Sequence, residues 1–236
     1  MKVLCCAALA AAALTAQPDP LQWFPLHVGS RWVYDLESKS GDRQRPEVDR
    51  WTNSVTITRL VTIPEGLVVL RDATSRESQP KVRALVISPR GQPRYTEVPA
   101  HAGGYLVGRD SAPYLLHDNC IYLISGGWDA TNQSLSSEYR EYLKRGSLPA
   151  DFCFPLEPGR VWGNNDVPWS VEPARAGVGA FLPARFAEAI HIFSNHLGSG
   201  GWDDVWFQKG VGVVGEHYIH NGTYDEYTKV LRSYSP

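Results

Sequence analysis

The sequence has very little methionine and cysteine, and it has no excess of basic residues. Its 236 residues include one Met and four Cys, and 23 Lys and Arg stand against 25 Asp and Glu, for a net charge of −2. Without a basic patch we expect no nucleic-acid partner. Beyond the N-terminus no apolar run approaches the length of about 20 residues that a membrane-spanning helix needs. We therefore predict no transmembrane segment in the mature chain.

The one long apolar run lies at the N-terminus and has the form of an export signal. Lys2 precedes an uninterrupted run of Val, Leu, Cys and Ala over residues 3–14, and a small-residue segment that includes Ala16 follows, before two prolines. This order matches the positive, apolar and cleavage regions of a secretory signal peptide. We predict that residues 1–16 are removed, that residues 17–236 form a single β-rich domain, and that the protein is exported to a bacterial periplasm or the extracellular space.

Only two cysteines, Cys120 and Cys153, follow the signal. In an exported chain two cysteines most simply form a disulfide, and the alternatives are two buried thiols or one reactive thiol. Closing this loop would add roughly 3–4 kcal/mol of stability in the chain-entropy model. Neither cysteine has a second metal ligand at short spacing, so we predict no zinc site here and expect no cofactor.

An internal repeat organises the chain. The pattern F-P-L-x-x-G-x-x-W occurs at residues 24–32 and again at 154–162. Pro fixes φ, Gly permits a left-handed turn residue, and Trp is the first large inward side chain, so each copy predicts a turn that starts a strand. We predict two related halves, 21–125 and 152–236, joined by a helical segment at 126–151.

Period-two alternation of apolar residues predicts many short strands. A strand at 54–63 and a turn at 64–66 indicate a hairpin, whereas the polar stretch 37–49 is predicted to be a loop. One helix should begin near Ser136 and end at Gly146. Other strands are predicted at 32–36, 67–71, 82–88, 94–98, 105–107, 169–172, 187–193, 204–209, 211–220 and 223–234, with a longer apolar segment at 114–125. The fold class is mainly β, an antiparallel sandwich or open barrel with two related halves and one short helix.

The two ends of the chain carry a resemblance to a known set of proteins. F-P-L-x-x-G-x-x-W-x-Y at residues 24–34 and W-F-x-x-G-V-G at 206–212 resemble segments of exported, β-rich bacterial proteins with no assigned activity. In that set a W-F-x-x-G-V-G segment similarly precedes the final hairpin. The resemblance implies a bacterial, exported, β-rich protein, and it brings no functional residues.

A second short repeat, G-G-W-D, suggests a ligand site. It places Trp128 with Asp129, and Trp202 with Asp203, on two glycine-rich loops. If both loops lie at one end of the domain, the four residues could frame a pocket for an apolar or carbohydrate-like ligand. The alternative is structural, with each Trp filling the core beneath a turn that its Asp caps. The leading hypothesis is therefore an exported, non-enzymatic binding or structural module.

Metal-type ligands concentrate in the C-terminal third. His191, His196, Asp203 and His217 are of the types that bind zinc with one position left for water, which gives the alternative hypothesis of a metal-assisted hydrolase. The spacing counts against it, because neither H-E-x-x-H nor H-x-x-E-H occurs. A G-x-S-x-G nucleophile elbow is also absent from the sequence, and we identify no catalytic residue.

Overall fold

Strands make up most of the molecule. The computed structural model describes residues 20–76, 81–87, 93–99, 110–163, 168–173, 179–196, 200–220 and 224–236, with the backbone alone at 76, 81–87, 93–99 and 196. The strands are β1 (Arg31–Asp42), β2 (Arg45–Ile63), β3 (Gly66–Arg76), β4 (Lys81–Ile87), β5 (Pro93–Pro99), β6 (Tyr114–His117), β7 (Cys120–Leu123), β8 (Trp128–Asp129), β9 (Ser134–Leu135), β10 (Phe152–Cys153), β11 (Val161–Gly163), β12 (Pro168–Glu172), β13 (Ile190–His196), β14 (Gly201–Gln208), β15 (Gly212–His220) and β16 (Asp225–Ser235). The helices are α1 (Pro20–Trp23), α2 (Ser137–Lys144) and a 3-10 turn, Ala184–Phe186. None of these described helices has the length and apolar character needed to cross a membrane.

Twelve strands form one antiparallel, nearly closed sheet, which confirms the predicted mainly-β fold class. Their order is β10-β7-β6-β3-β2-β1-β16-β15-β14-β13-β12-β11, and β4-β5 and β8-β9 form separate hairpins. The first and last of the described strands, β1 and β16, therefore pair at the middle of the sheet. The two edge strands, β10 and β11, are joined by residues 154–160, and the Trp162 indole donates to the Asp151 carbonyl at 3.4 Å. The second F-P-L copy thus connects the two edges of the sheet.

Both copies of the repeated motif make the same backbone turn. The Gly29 amide donates to the Ile57 carbonyl at 2.8 Å, and the Gly159 amide donates to the Val171 carbonyl at 3.0 Å. The amides of Ile57 and Val171 donate back to the residue after each glycine, at 3.0 and 2.9 Å. Both glycines have positive φ, 95° and 83°, where a Cβ would be strained. The first copy starts β1 and the second starts β11.

The main core lies on one side of the large sheet, which we call the inner face. Aromatic rings converge there on Phe207, whose centroid is 5.8 Å from that of Phe24 and 5.6 Å from that of Phe154. Trp32 stacks between Phe24 and Tyr234, with centroids 5.5 and 5.2 Å away. The two phenylalanines of the repeated motif therefore anchor both turns in the same core.

A smaller core lies beneath the predicted helix, and its packing requires a glycine at position 127. Ser136 caps α2 by accepting from the Tyr139 amide at 3.3 Å, and Gly146 follows its end with φ 62°. The Tyr139 ring packs directly on Gly127, where a Cβ would come within 2.1 Å of the ring. The helix is thus placed as its sequence predicted.

One expectation about local structure is wrong. Residues 37–49, predicted to be a loop, continue β1 and begin β2, with a turn at 43–44. Charged residues fill this stretch because the hairpin extends beyond the core, and both of its faces are largely solvated. The longer apolar segment at 114–125 forms the β6–β7 hairpin, which turns at Asp118 and Asn119 with φ 46° and 64°.

The predicted Cys120–Cys153 disulfide is present. The two cysteines are direct neighbours on β7 and β10, with Cα atoms 4.1 Å apart. The bond thus fixes one edge strand to the rest of the sheet. The predicted strand at 105–107 lies outside the described residues.

Candidate functional site

Charged side chains are buried at the centre of the inner face. Glu216 of β15 and Lys229 of β16 are direct cross-strand partners, and Asp110, just before β6, approaches them from above the sheet. Their exposed fractions are 9%, 3% and 7%. Burying an ion is costly unless it is paired, so the contacts among these charges must offset the cost of removing them from water. We call Asn53, Asp110, Glu216 and Lys229 the inner cluster.

The inner cluster is joined by short contacts. The Lys229 Nζ lies 2.8 Å from Asp110 Oδ1 and 3.5 Å from Glu216 Oε1. Asn53 Nδ2 donates to the other carboxylate oxygen of Asp110, Oδ2, at 2.6 Å. Tyr227 donates its hydroxyl to Glu216 Oε2 at 3.2 Å. The single buried ammonium is therefore shared by two carboxylates, each of which has a further neutral donor.

Tyr34 forms the floor of the inner cluster. The Lys229 Nζ lies 4.4 Å from the centroid of the Tyr34 ring, and the Tyr34 hydroxyl donates to the Val213 carbonyl at 3.1 Å. Burial, and then the charges of Asp110 and Glu216, raise the pKa of Tyr34 well above its ordinary value. Burial alone would lower the pKa of Lys229, but the same two carboxylates raise it, so its amine is held as an ammonium.

The space beside the inner cluster is small. The cavity between Tyr34, Tyr114 and Lys229 has a volume of about 20 Å³, enough for about one water molecule. Arg71 closes one side of it by donating to the Ala112 carbonyl at 2.7 and 3.0 Å and by lying over the Tyr114 ring at 3.5 Å. This interior is packed, and it offers no room for a ligand.

The opposite, outer face carries a continuous row of ionisable groups across six strands. We call it the outer ion row, and in order from β2 to β13 it comprises Arg50, Glu37, Lys39, Glu226, His217, Asp204 and His191. Successive members are separated by 2.7, 3.5, 3.4, 3.1, 3.7 and 2.7 Å. The alternation of sign follows from cross-strand register, because Glu37 faces Arg50, Lys39 faces Glu226, and Asp204 faces His217.

Two groups at the histidine end of the outer ion row, His217 and Asp204, have shifted pKa values. Burial would lower the pKa of His217, but its hydrogen bonds to Asp204 and Glu226 raise it. Burial would raise the pKa of Asp204, but hydrogen bonds from His191 and His217 lower it. His191 also stacks on Trp206, with ring centroids 5.0 Å apart. The hydrogen bond between His217 and Asp204 therefore favours the charged form of each of these two groups on a partly solvated face.

A groove opens on the outer face beside the arginine end of the row. It has a volume of about 450 Å³ and is lined from β2, β1 and β16 by Asp35, Leu36, Glu37, Arg50, Trp51, Thr52, Thr228, Val230 and Arg232. Arg232 forms a fork with the Asp35 carboxylate, and its Nε contact is 3.0 Å. Arg50 contacts Glu37 at 2.7 Å. Two arginine–carboxylate pairs thus lie side by side at the surface.

The G-G-W-D residues lie on two different sheets. Trp128 and Asp129 are in β8, where Trp128 packs on the smaller core. Asp129 caps its turn by accepting from the amides of Thr131 and Asn132 at 2.9 and 3.0 Å. Trp202 and Asp203 are in β14 of the large sheet, where Asp203 is buried. A pocket framed by both loops therefore stays a prediction from sequence.

The proposed metal ligands are divided between the two faces of β14. His191 and His217 both contact Asp204, whereas Asp203 points to the inner face. In the part of the chain that the structure describes, no group of three or more His, Cys, Asp or Glu is placed to hold a metal ion. The side chain of His196 lies outside that part. The described residues thus give the metal-assisted hydrolase no site.

Sequence reasoning missed the inner cluster. One signal was present, because Lys229 alternates with Tyr227 and Leu231 in a strand whose inward positions are otherwise apolar. A lysine at such a position must be buried with a counter-charge. Its partners were not predictable, since Asp110 lies 119 residues away.

Comparison with known proteins gives little. No protein-family model matches the chain, and no curated protein matches it. A Bacteroides fragilis protein named as exported, with a YMCC-like fold, aligns at 10% identity and a TM-score of 0.40, over 91% of this chain and 99% of that one. A Parabacteroides distasonis protein named as a lipoprotein aligns at 12% identity and a TM-score of 0.39, over 90% and 97% of the two chains. At that level of similarity neither carries an activity over to this chain.

Proposed function

We propose that this chain is an exported, non-enzymatic module that binds a saccharide in the groove of the outer face. One observation carries the proposal, namely the side-by-side pairs Arg50–Glu37 and Arg232–Asp35 in an open groove of about 450 Å³. That volume lies within the range of about 300–1,000 Å³ typical of small-molecule sites.

The lining of the groove favours a saccharide over an apolar ligand. Sugar hydroxyls both donate and accept hydrogen bonds, and the groove supplies both kinds of partner. Asp35 and Glu37 accept, Arg50 and Arg232 donate, and the hydroxyls of Thr52 and Thr228 do either. The arginine side chains are 73% and 58% exposed, so a ligand can reach them without breaking the core. A purely apolar ligand would remove water from these ion pairs without offering them any hydrogen bond in return.

Export is supported by the form of residues 1–16 and by the disulfide, which suits an oxidising compartment. Expression of the full chain in a bacterial host, followed by fractionation and N-terminal sequencing, tests it. We expect the protein outside the cytoplasm with Gln17 as its first residue. An uncleaved chain that remains in the cytoplasm would overturn the export proposal.

Binding is tested by applying the mature chain to an array of neutral, uronic-acid and amino-sugar oligosaccharides, followed by calorimetry with the best binder. We expect the double variant R50A/R232A to lose binding. The control R145A removes an equally exposed arginine that directly follows α2, away from the groove, and should bind normally. W202A tests the sequence-predicted site in the same assay. If R50A/R232A still binds and W202A does not, the binding site is the sequence-predicted one and not the groove. If the mature chain binds no sugar, the protein is a structural module.

A further inference from the structure

The inner cluster holds a primary amine against a carboxyl group inside the core. The Lys229 Nζ and the Asp110 Oδ1 are 2.8 Å apart, and the two residues are 119 positions apart in the chain. We propose that these two side chains condense to an intramolecular isopeptide bond, with Glu216 carrying the proton and Asn53 polarising the carboxyl group. The bond would tie the segment that precedes β6 to the last strand of the sheet.

The two reacting groups are held close together. Reaction between two held groups becomes fast when the reacting atoms are about 3–3.5 Å apart. The Asp110 Cγ lies one bond beyond an oxygen that already touches Nζ. The strand β16 and the Tyr34 ring hold the lysine from one side, and Asn53 holds the carboxyl group from the other. Neither side chain can turn to solvent, because both are buried.

The Asn53 side chain places a hydrogen-bond donor where negative charge would develop. Attack on Cγ leaves a tetrahedral centre on which one oxygen becomes negative. Asn53 Nδ2 donates at 2.6 Å to Oδ2, the oxygen that does not face the amine. A neutral donor fixed at that oxygen stabilises the developing charge, as the donors of an oxyanion hole do. The other oxygen, Oδ1, faces the amine and is the one that leaves.

The proton balance closes within the cluster. The reaction starts from an ammonium on Lys229 and a carboxylate on Asp110. Nζ gives up two protons, the N–Cγ bond forms, the Cγ–Oδ1 bond breaks, and Oδ1 leaves with both protons as water. Glu216 Oε1, 3.5 Å from Nζ, accepts a proton from the amine and delivers it to Oδ1, so Glu216 ends as the carboxylate it was. No oxidant or cofactor is required.

The surroundings favour the amide over its hydrolysis. The adjoining cavity of about 20 Å³ accepts about one water molecule, and aromatic rings line it on several sides. Water that leaves such a site is not replaced by bulk solvent. The neutral amide replaces the Lys229–Asp110 ion pair, and Glu216 keeps the Tyr227 hydroxyl as its donor. An unreacted ion pair is the competing outcome, and it is distinguishable by mass.

Intact-mass spectrometry of the mature chain, with its disulfide reduced and alkylated, tests the proposal. We expect a mass lower than the sequence mass by one water, and a branched peptide that joins Lys229 to Asp110 after digestion. In D110N the leaving group is ammonia, so its cross-linked product should have the same mass as cross-linked wild type. E216Q should show much slower conversion in freshly purified protein, and K229R and D110A should keep their full mass.

A folded wild-type chain that still has its full mass after prolonged incubation overturns the proposal. Cooperative urea unfolding of the wild type checks that it is folded, so this outcome does not depend on the variants. Loss of water that persists in K229R would assign it to cyclisation elsewhere, and would also overturn the proposal. If K229R and D110A do not fold, the branched peptide in wild type decides. Equal conversion in E216Q and wild type would remove Glu216 from the mechanism.

Discussion

The inner cluster and the outer ion row use the same strands and nearly the same chemical groups. Glu216 and His217 are neighbours on β15, and one belongs to each network because successive residues point to opposite faces. Inside, one ammonium serves two carboxylates with almost no solvent. Outside, basic and acidic residue types alternate along the seven members of the outer ion row, and the Arg50 and Lys39 side chains are open to water. The difference indicates that burial rather than residue type decides what each ion pair contributes.

Removing the cation of the inner cluster should give the largest difference in stability cost between the two regions. Lys229→Met removes the group that holds Asp110 and Glu216, whether it is an ammonium or the proposed amide, and leaves both carboxylates buried without it. We expect a loss of at least about 3 kcal/mol in the free energy of unfolding. Lys39→Met, the matched change in the outer ion row, should cost at most about 1 kcal/mol. Urea unfolding monitored by tryptophan fluorescence measures both. Similar losses in the two variants would contradict the comparison.

Removing a neutral hydrogen-bond donor should cost less stability, and the cost should again be larger on the inner face than on the outer face. Asn53→Leu keeps a similar volume but takes the donor from Asp110 Oδ2, and the expected cost is about 1–3 kcal/mol. Its neighbour Thr52 points outward, and Thr52→Ala should change stability by at most about 0.5 kcal/mol. The same unfolding experiment applies. A larger loss in Thr52→Ala than in Asn53→Leu would reverse the assignment of the two faces.

Acidity should distinguish the regions through His217. Its pKa in the folded protein is raised above the ordinary 6.5 by Asp204 and Glu226. A raised pKa stabilises the fold below the unfolded value, and this contribution is lost as pH rises through the folded value. The stability difference between wild type and His217→Gln should therefore be larger near about pH 5.5 than near about pH 9. The stability cost of Asn53→Leu should be the same at both pH values. A difference between wild type and His217→Gln that grows with pH would refute this interpretation.

Salt should produce the smallest difference. Glu37→Gln removes the partner of an exposed arginine, and we expect a cost below about 1 kcal/mol at low ionic strength. This cost should nearly vanish in about 1 M NaCl, where the Debye length is about 3 Å. The cost of Lys229→Met should persist, because solvent ions do not reach the inner cluster. Equal salt dependence in both variants would show that the inner cluster is hydrated.

Much of the fold was predictable because its signals are local. Apolar alternation at 54–63 and the cap and stop residues of α2 depend only on neighbouring positions, and both elements form as expected. The strands within 37–49 were missed for a physical reason. That hairpin extends past the core, so its sequence lacks the apolar side that makes a strand recognisable.

The candidate sites were less predictable because they depend on register between distant strands. Asp203 and Asp204 look equivalent in sequence, yet pairing with β13 and β15 sends Asp204 to the histidines and Asp203 to the core. Asp110 and Lys229 meet only because the first and last strands are neighbours in the sheet. No local pattern contains that information.

The pairing of β1 with β16 has a consequence for the order of folding. Arg31 lies opposite Ser235, so β1 lacks its hydrogen-bonding partner at the centre of the sheet until β16 is available. Long-range pairing of this kind forms slowly compared with local hairpins. In the exported chain that we propose, β16 crosses the membrane after the strands that it completes. The central pair of the sheet therefore forms only once β16 has crossed, and the strands before it remain without that pairing until then.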